Sequence, residues 1–345
     1  MSNKPINYEK QGLMLLGIDI STTGAKAILI SPQGKVLKTA THTYPLLTPK
    51  PLWSEQNPED WWQAAQASIR QVLEASETDP EAVQAVGLTG QMHGLVLMDA
   101  QDQVLCPAIL WNDQRTADAC KQMVERISPA RVIRITGNPA LTGFTAPKLL
   151  WVREHEPEIY RSIAHILLPK DYVRFKLSGD RAIDCADASG TSLFDISQRK
   201  WSQEILDKLE INPNWMPSVF EGTEITGVVS NWAAELTGLA SGTPIIGGGG
   251  DQAAQAVGVG AIMPEILAVT LGTSGVVFAP TAEPHIDPQG RVHAMCHSLP
   301  PNKGQGWHMM GVMLSAGGSL RWLRDKITSE KDYTKIIEPA ESIPP

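Results

Sequence analysis

Four consecutive glycines constrain this chain more than any other stretch. Gly247 to Gly250 follow Pro244-Ile245-Ile246, a short apolar run that reads as a strand. They precede Asp251-Gln252-Ala253-Ala254, where a small-residue run to Gly260 can open a helix. Glycines let the backbone turn tightly and let another group approach closely. An acid in the first helical turn is favoured by the exposed N–H groups and the dipole there. The expectation is strand, glycine turn, helix, with Asp251 at the junction. Two roles stay open for Asp251: an N-cap, or a reactive carboxylate on a platform that admits substrate.

The 345 residues suffice for about two domains. Hydrophobic residues make up 42% and charged residues 19%, which argues for a globular chain rather than a disordered one. The net charge of −8, with no long basic run, argues against a nucleic-acid partner. Cys106, Cys120, Cys185 and Cys296 are widely spaced and form no CxxC pair, which fits reduced thiols in the cytoplasm. Met1 to Gln11 is polar and reads as no signal peptide. No apolar run is long enough to span a bilayer, so no membrane partner is expected.

Leu13 to Ile20, Lys26 to Ile30 and Val36 to Tyr44 read as three strands joined by tight turns, a meander. Asn57-Pro58-Glu59 carries the marks of a helix start, and Trp61, Trp62, Ala65, Ile69 and Val72 recur at near-helical spacing. Further strands are expected over Ala85 to Leu88 and Leu95 to Met98. From Phe144 to about Leu236 helical patterns dominate, with loops expected at Pro169-Lys170-Asp171 and Asp184 to Thr191. Thr237 to Thr243 is small and polar, a boundary that divides the chain into 1–240 and 241–345. After it, Ala268 to Leu271, the turn Gly272-Thr273-Ser274-Gly275 and Val276 to Ala279 repeat the theme of Leu16 to Gly24. That repetition hints at internal duplication. Gly306 to Met313 reads as a strand, and Leu314 to Ser319 leads into a helix.

Two turns rich in Thr, Ser and Gly offer N–H groups and hydroxyls to an anion. Facing one another, they could grip the phosphates of one nucleotide. Asp19 ends the strand beside the first turn and could hold Mg²⁺, which takes one or two carboxylates plus phosphate oxygens; taken alone, it reads as a strand-end acid bonding its own turn. No GxxxxGK[ST] occurs, and no GxGxxG follows a strand, which excludes the common P-loop and dinucleotide patterns. Met92 and His93 lie in a glycine-bounded turn and could pack on and hydrogen-bond a polyol, although a lone loop histidine is more often structural. Trp53, Glu55, Trp111, Asn112 and Asp113 supply the flat rings and planar polar groups of a sugar pocket. Asp113 could equally cap a helix. Asp251 suits phosphoryl transfer, which needs positioning, charge neutralisation and one acceptor for a hydroxyl proton.

These residues resemble the FGGY carbohydrate kinases. The matching blocks are Gly17 to Thr23, Leu52 to Gln56, Gly90 to Gly94, Ile109 to Asp113, Gly143 to Trp151, Leu168 to Tyr172, Gly248 to Asp251 and Leu271 to Gly275, spread over residues 13 to 325. The resemblance implies an α/β fold of two ribonuclease-H-like, actin-like ATPase domains with ATP between them. It implies ATP-dependent phosphorylation of a ketose, D-xylulose, with Asp251 taking the proton of the 5-hydroxyl. Met92 and His93 would contact the sugar, with Trp53, Asn112 and Asp113 nearby. Asp19 would sit near Mg²⁺ and the phosphates. Thr22, Thr23, Gly272 and Thr273 would line the phosphate site, and Gly317 would lie near the nucleotide. Such kinases are often homodimers.

Three departures stand against this pattern. Ser21 occupies a turn position that is usually Gly, where it would crowd a phosphate. Gln252 stands where Asn is usual. The family's SGERTPH-like block and GGGA-like adenine loop are not found, so the second domain is expected to be incomplete. Two alternatives follow: a non-catalytic sugar-binding remnant, or a related kinase of another polyol or ketose.

Overall fold

The computed structural model describes residues 13–301 and 305–343. The reading of Met1 to Gln11 lies outside the described residues, as do Pro344 and Pro345 of the tail.

Strands β1 (Met14–Ile20), β2 (Gly24–Ile30) and β3 (Val36–Thr43) form the expected antiparallel meander. Alternation sorts their side chains. Leu16, Ile18, Ile20, Ala25, Ala27 and Leu29 are buried on one face, while Gly17, Asp19 and Lys26 point to the other. Helix α1 (Pro58–Ser76) covers the buried face with Trp61, Trp62, Ala65, Ile69 and Val72. It starts where expected: the Asn57 side chain accepts from the Glu59 N–H at 3.1 Å, and Pro58 takes the first helical position. Each large side chain fully buried here contributes about 1.5–3 kcal/mol of hydrophobic stabilisation before chain entropy is deducted.

Strand β4 (Val83–Gly90) runs parallel beside β1. Helices α2 (Thr145–His155), α3 (Pro169–Ser178) and α4 (Cys185–Ser189) follow. Two loops of the sequence reading are in fact helical starts. Pro169 is the first residue of α3, where its missing N–H costs nothing, and Asp184 caps α4 by accepting from Ala186 and Asp187 at 2.9 and 3.0 Å. Short strands also interleave this region, such as Ala182–Asp184 paired with Ser218–Phe220.

Strands β5 (Ile225–Val228) and β6 (Pro244–Gly250) complete a six-stranded sheet in the order β5-β6-β4-β1-β2-β3. Strand β6, which follows the boundary expected at 240/241, is thus hydrogen-bonded into the first sheet, parallel to β4. Helix α5 (Asp251–Gly258) continues directly from it.

A second sheet holds β7 (Ala268–Leu271), β8 (Gly275–Thr281), β9 (His293–Cys296) and β10 (Trp307–Met313), all antiparallel, in the order β7-β8-β10-β9. Like β1 and β2, strands β7 and β8 form a hairpin on a Thr/Ser/Gly turn. Phe278, Met295 and Met310 of this sheet pack with Ala256 of α5 and with Met92 and Phe144. Helix α6 (Gly317–Trp322) follows β10. Leu271, Val269 and Met313 of the second sheet are 77%, 69% and 59% exposed, so part of its apolar surface has no cover among the described residues.

Candidate active site

The four glycines are part of β6, not a turn after it. Gly249 and Gly250 pair with Thr89 and Gly90, and a register irregularity between Ile246 and Gly249 absorbs the extra residues. Gly248 makes this possible. It sits at φ +73°, and a Cβ there would lie 1.9 Å from the Leu88 carbonyl oxygen. Asp251 is the first residue of α5, with Gly250 as its N-cap, so it does not itself cap the helix. Burial raises its carboxyl to about 6; the negative charge of Asp19 adds to the rise, and the Gln252 amide pulls the other way.

Asp19 and Lys26 face each other across β1 and β2, on the side of the sheet away from α1. That side floors a groove of about 480 Å³ with Gly17, Gly87 and Thr89, and Ala254 and Val257 of α5 form part of its wall. Asp19 Oδ1 is buried without a hydrogen-bond partner. Burial raises the Asp19 carboxyl, and Lys26 opposes the rise. An orphaned carboxylate oxygen beside an open groove suits a divalent cation shared with phosphate oxygens. Lys26 was not singled out from the sequence; its signal was the cross-strand position opposite Asp19.

Met92 packs against Gly250. A Cβ on Gly250 would fall 2.6 Å from Met92 Cγ. His93 holds φ 67° and stacks on Phe144 at 4.3 Å between ring centres. Its Nδ1 lies 2.6 Å from the Gly190 carbonyl oxygen. A carbonyl only accepts, so Nδ1 carries the proton and Nε2 is left as an acceptor. Burial lowers the imidazole to about 3, and it is neutral across the physiological range. The His93 carbonyl is held by Lys148 Nζ at 2.8 Å and by the Thr145 hydroxyl at 3.1 Å. Lys148 is fully buried and also donates to Gly143. Nothing local in the sequence marks that role.

The tryptophan and acid of the expected sugar pocket are occupied by protein partners. Both Asp113 oxygens are taken, by the Ser54 N–H at 2.7 Å and by Arg115. The Arg115 guanidinium lies 3.5 Å from the centre of the Trp53 ring, which also packs edge-on to Trp151. Asn112 Oδ1, in contrast, is buried with no partner. Trp111 Nε1 donates to Thr22 Oγ1 at 3.0 Å, joining this loop to the first turn. Gln56 and Gln91 brace the same turn: Gln91 Nε2 donates to Gln56 Oε1 at 2.9 Å, and Gln56 donates to the Thr22 carbonyl at 2.7 Å. Thr23 is exposed. The Ser21 hydroxyl folds back to the Gly24 carbonyl at 2.9 Å, within its own turn.

Gly272, Thr273 and Gly317 meet at one corner. Gly317 N–H donates to the Gly272 carbonyl at 2.9 Å, and Gly318 N–H to that of Thr273 at 3.0 Å. Among the described residues no hydrogen bond joins this corner to the Thr22 turn.

The mixed sheet, the acid that opens the helix after its glycine strand and the second hairpin on a Thr/Ser/Gly turn make an α/β architecture of the ribonuclease-H-like, actin-like kind. Residues 14–258 match the N-terminal domain of the FGGY family of carbohydrate kinases, and the chain belongs to that family. Over 328 residues it is 44% identical to the xylulose kinase of Escherichia coli (strain K12), covering 95% of this chain and 66% of that protein. The crystal structure of a xyloylose kinase from Brucella ovis superposes with a TM-score of 0.85 at 40% identity, over 94% of this chain and 64% of the other. For the xylulose kinase of Rhodospirillum rubrum the TM-score is 0.88 at 27% identity, over 94% and 65%. The chain therefore spans about two thirds of the length of these relatives.

Proposed function

We propose that this chain carries the sugar side and the general base of an ATP-dependent kinase that converts D-xylulose to D-xylulose 5-phosphate. The observation that carries the reading is Asp251. It is a half-buried carboxyl with a raised pKa, just past the end of a glycine strand on which Met92 packs, and the charge of Asp19 adds to the rise. The names of the relatives support D-xylulose as the sugar.

In this reading His93 Nε2 accepts a hydroxyl hydrogen bond, Met92 covers the carbon face, and the free Asn112 oxygen takes another hydroxyl. Trp53 and Asp113 act nearby, through Arg115 and the loop it holds. The 5-hydroxyl is presented to Asp251. As its oxygen bonds the γ-phosphorus of ATP, the bond from that phosphorus to the bridging oxygen breaks and ADP leaves. The proton passes to Asp251, late in a loose transition state, so orientation matters more than basicity. Thr22, Thr23 and Thr273 supply hydroxyls to the phosphates, Gly272 and Gly317, whose own N–H groups are bonded within their corner, let the phosphates approach the backbone, and Lys26 adds positive charge. Asp19 would hold Mg²⁺, which neutralises phosphate charge when bound. A cytoplasmic setting fits the four free thiols, and a homodimer fits the family.

The test is D-xylulose-dependent ADP formation by the 345-residue chain, with sugar binding measured separately by calorimetry. Turnover supports the kinase. The bare apolar surface around Leu271 favours a second reading, binding without turnover; sugar binding with no ADP formed would select it. Preference for ribulose, gluconate or glycerol in a substrate panel would replace the substrate.

A further inference from the structure

Five charged side chains are wholly buried beneath the glycine strand: Lys170, Asp171 and Arg174 of α3, with Asp184 and Asp187 at α4. Lys170 Nζ lies 2.5 Å from Asp171, 2.6 Å from Asp184 and 3.0 Å from Asp187. The three carboxylates are close enough together to hold a metal. The ammonium already sits among them as counter-charge, so the cluster reads as an ion-pair core instead. Arg174 Nε lies 3.4 Å from Asp171, while its terminal nitrogens donate to the Ile246 carbonyl at 3.1 Å and to that of Gly247, at the start of the glycines.

Asp187 occupies the point where this core meets the site. Its Oδ1 has no hydrogen-bond partner and lies 3.2 Å from where a Gly250 Cβ would be, the same point on which Met92 packs. Three residues on, the Gly190 carbonyl receives His93 Nδ1 at 2.6 Å. One turn of helix thus touches both the residue before Asp251 and the histidine of the sugar side. Asp187 Oδ2 lies 3.0 Å from Lys170 Nζ, and that contact, shut away from water, ties the side chain to the core.

We infer that Asp187 is a positioning residue that sets the spacing between the Asp251 platform and His93. Its consequence for sugar binding rests on the kinase reading above; its mechanical role does not. In Asp187→Asn the acids Asp171 and Asp184 still stand against Lys170 and Arg174, two against two, so the chain is expected to fold. An amide is held less firmly by Lys170 than a carboxylate.

The experiment is amide hydrogen exchange on the full chain, D187N against wild type, with a parallel calorimetric titration of D-xylulose. Exchange is expected to rise at least threefold in residues 246–252 and 90–94 together, with α1 unchanged and the apparent affinity for D-xylulose at least threefold weaker. Asp187→Ala, if it folds, should enlarge both effects. A D187N protein in which either segment exchanges at the wild-type rate, or in which α1 loosens equally, would overturn the inference. Wild-type chain that fails to bind D-xylulose would sink the kinase reading while the exchange comparison still decides this one.

Discussion

His93 Nδ1 sits 2.6 Å from the Gly190 carbonyl oxygen, and that single contact sets what the ring can do. The N–H is used inward, so only a lone pair on Nε2 faces outward. Asn tolerates the left-handed backbone of position 93 and can offer its amide N–H to Gly190. It cannot reach where Nε2 lies. His93→Asn should therefore fold like wild type and bind D-xylulose about tenfold more weakly, the value of one hydrogen bond at about 1.4 kcal/mol. Calorimetric titration checks this; unchanged affinity would remove His93 from the sugar.

Removing the base should separate binding from chemistry. Asp251→Asn is expected to leave D-xylulose affinity within about twofold and to lower turnover by about 10²–10⁴, the span of general-base catalysis. Initial rates of ADP formation at saturating sugar measure it, in any preparation where the wild-type chain turns over.

The raised Asp251 carboxyl also predicts a pH signature. Its folded value of about 6 lies above the unfolded 3.8. The folded state thus binds the proton more tightly, and that advantage is present at low pH and lost as pH rises through 6. At pH 8 the ionised, half-buried Asp251 is a net cost, and D251N removes it. Urea denaturation should show D251N more stable than wild type at pH 8 by about 1–3 kcal/mol and equal to it near pH 3.5. With Asp251 as the base proposed above, turnover should fall as pH drops below 6.

Gly248→Ala is the glycine change expected to do most damage. The residue holds φ +73°, and the added methyl would lie 1.9 Å from the Leu88 carbonyl. Strain and displacement of β4 should together cost about 2–5 kcal/mol. Gly87→Ala, whose methyl meets nothing within 4 Å, is the control. Comparing urea midpoints tests whether β6 depends on that glycine.

Asn112 carries a buried oxygen with no partner. Truncating it removes an unsatisfied acceptor, so Asn112→Ala should be neutral or up to about 1 kcal/mol more stable. The same change should weaken D-xylulose binding if that oxygen is reserved for a hydroxyl. A thermal-shift series with and without sugar separates the two effects.

Much of the site could be read along the chain because its pieces are local. The hairpins at Thr22 and Thr273 needed only alternation and a Thr/Ser/Gly turn, and both formed as antiparallel pairs. The start of α1 was legible from Asn57 and Pro58, whose chemistry acts within one turn. The glycines were misjudged as a turn because a strand of glycine has no side-chain pattern; only pairing with Thr89 and Gly90 makes it one. Asp113 reads equally as a pocket acid or a helix cap, and the partners it has, Ser54 and Arg115, include one 59 positions away. Gly190 and Asp187 carry no mark in the sequence, and Lys148 only its place in the Gly143 to Trp151 block, since their roles rest on contacts made across long stretches of chain.

By itself, the order of residues determined the local conformations: which segments pleat, where α1 begins, and that an acid follows the glycines. Period, capping and steric freedom act over a few residues and leave their mark in the string. Tertiary structure alone decided that Asp251 feels the charge of Asp19, that Met92 rests on Gly250, and that a buried ion-pair core lies beneath them. Those outcomes depend on desolvation and on charges brought within a few ångströms by parallel pairing of distant strands, and no spacing along one chain encodes that proximity.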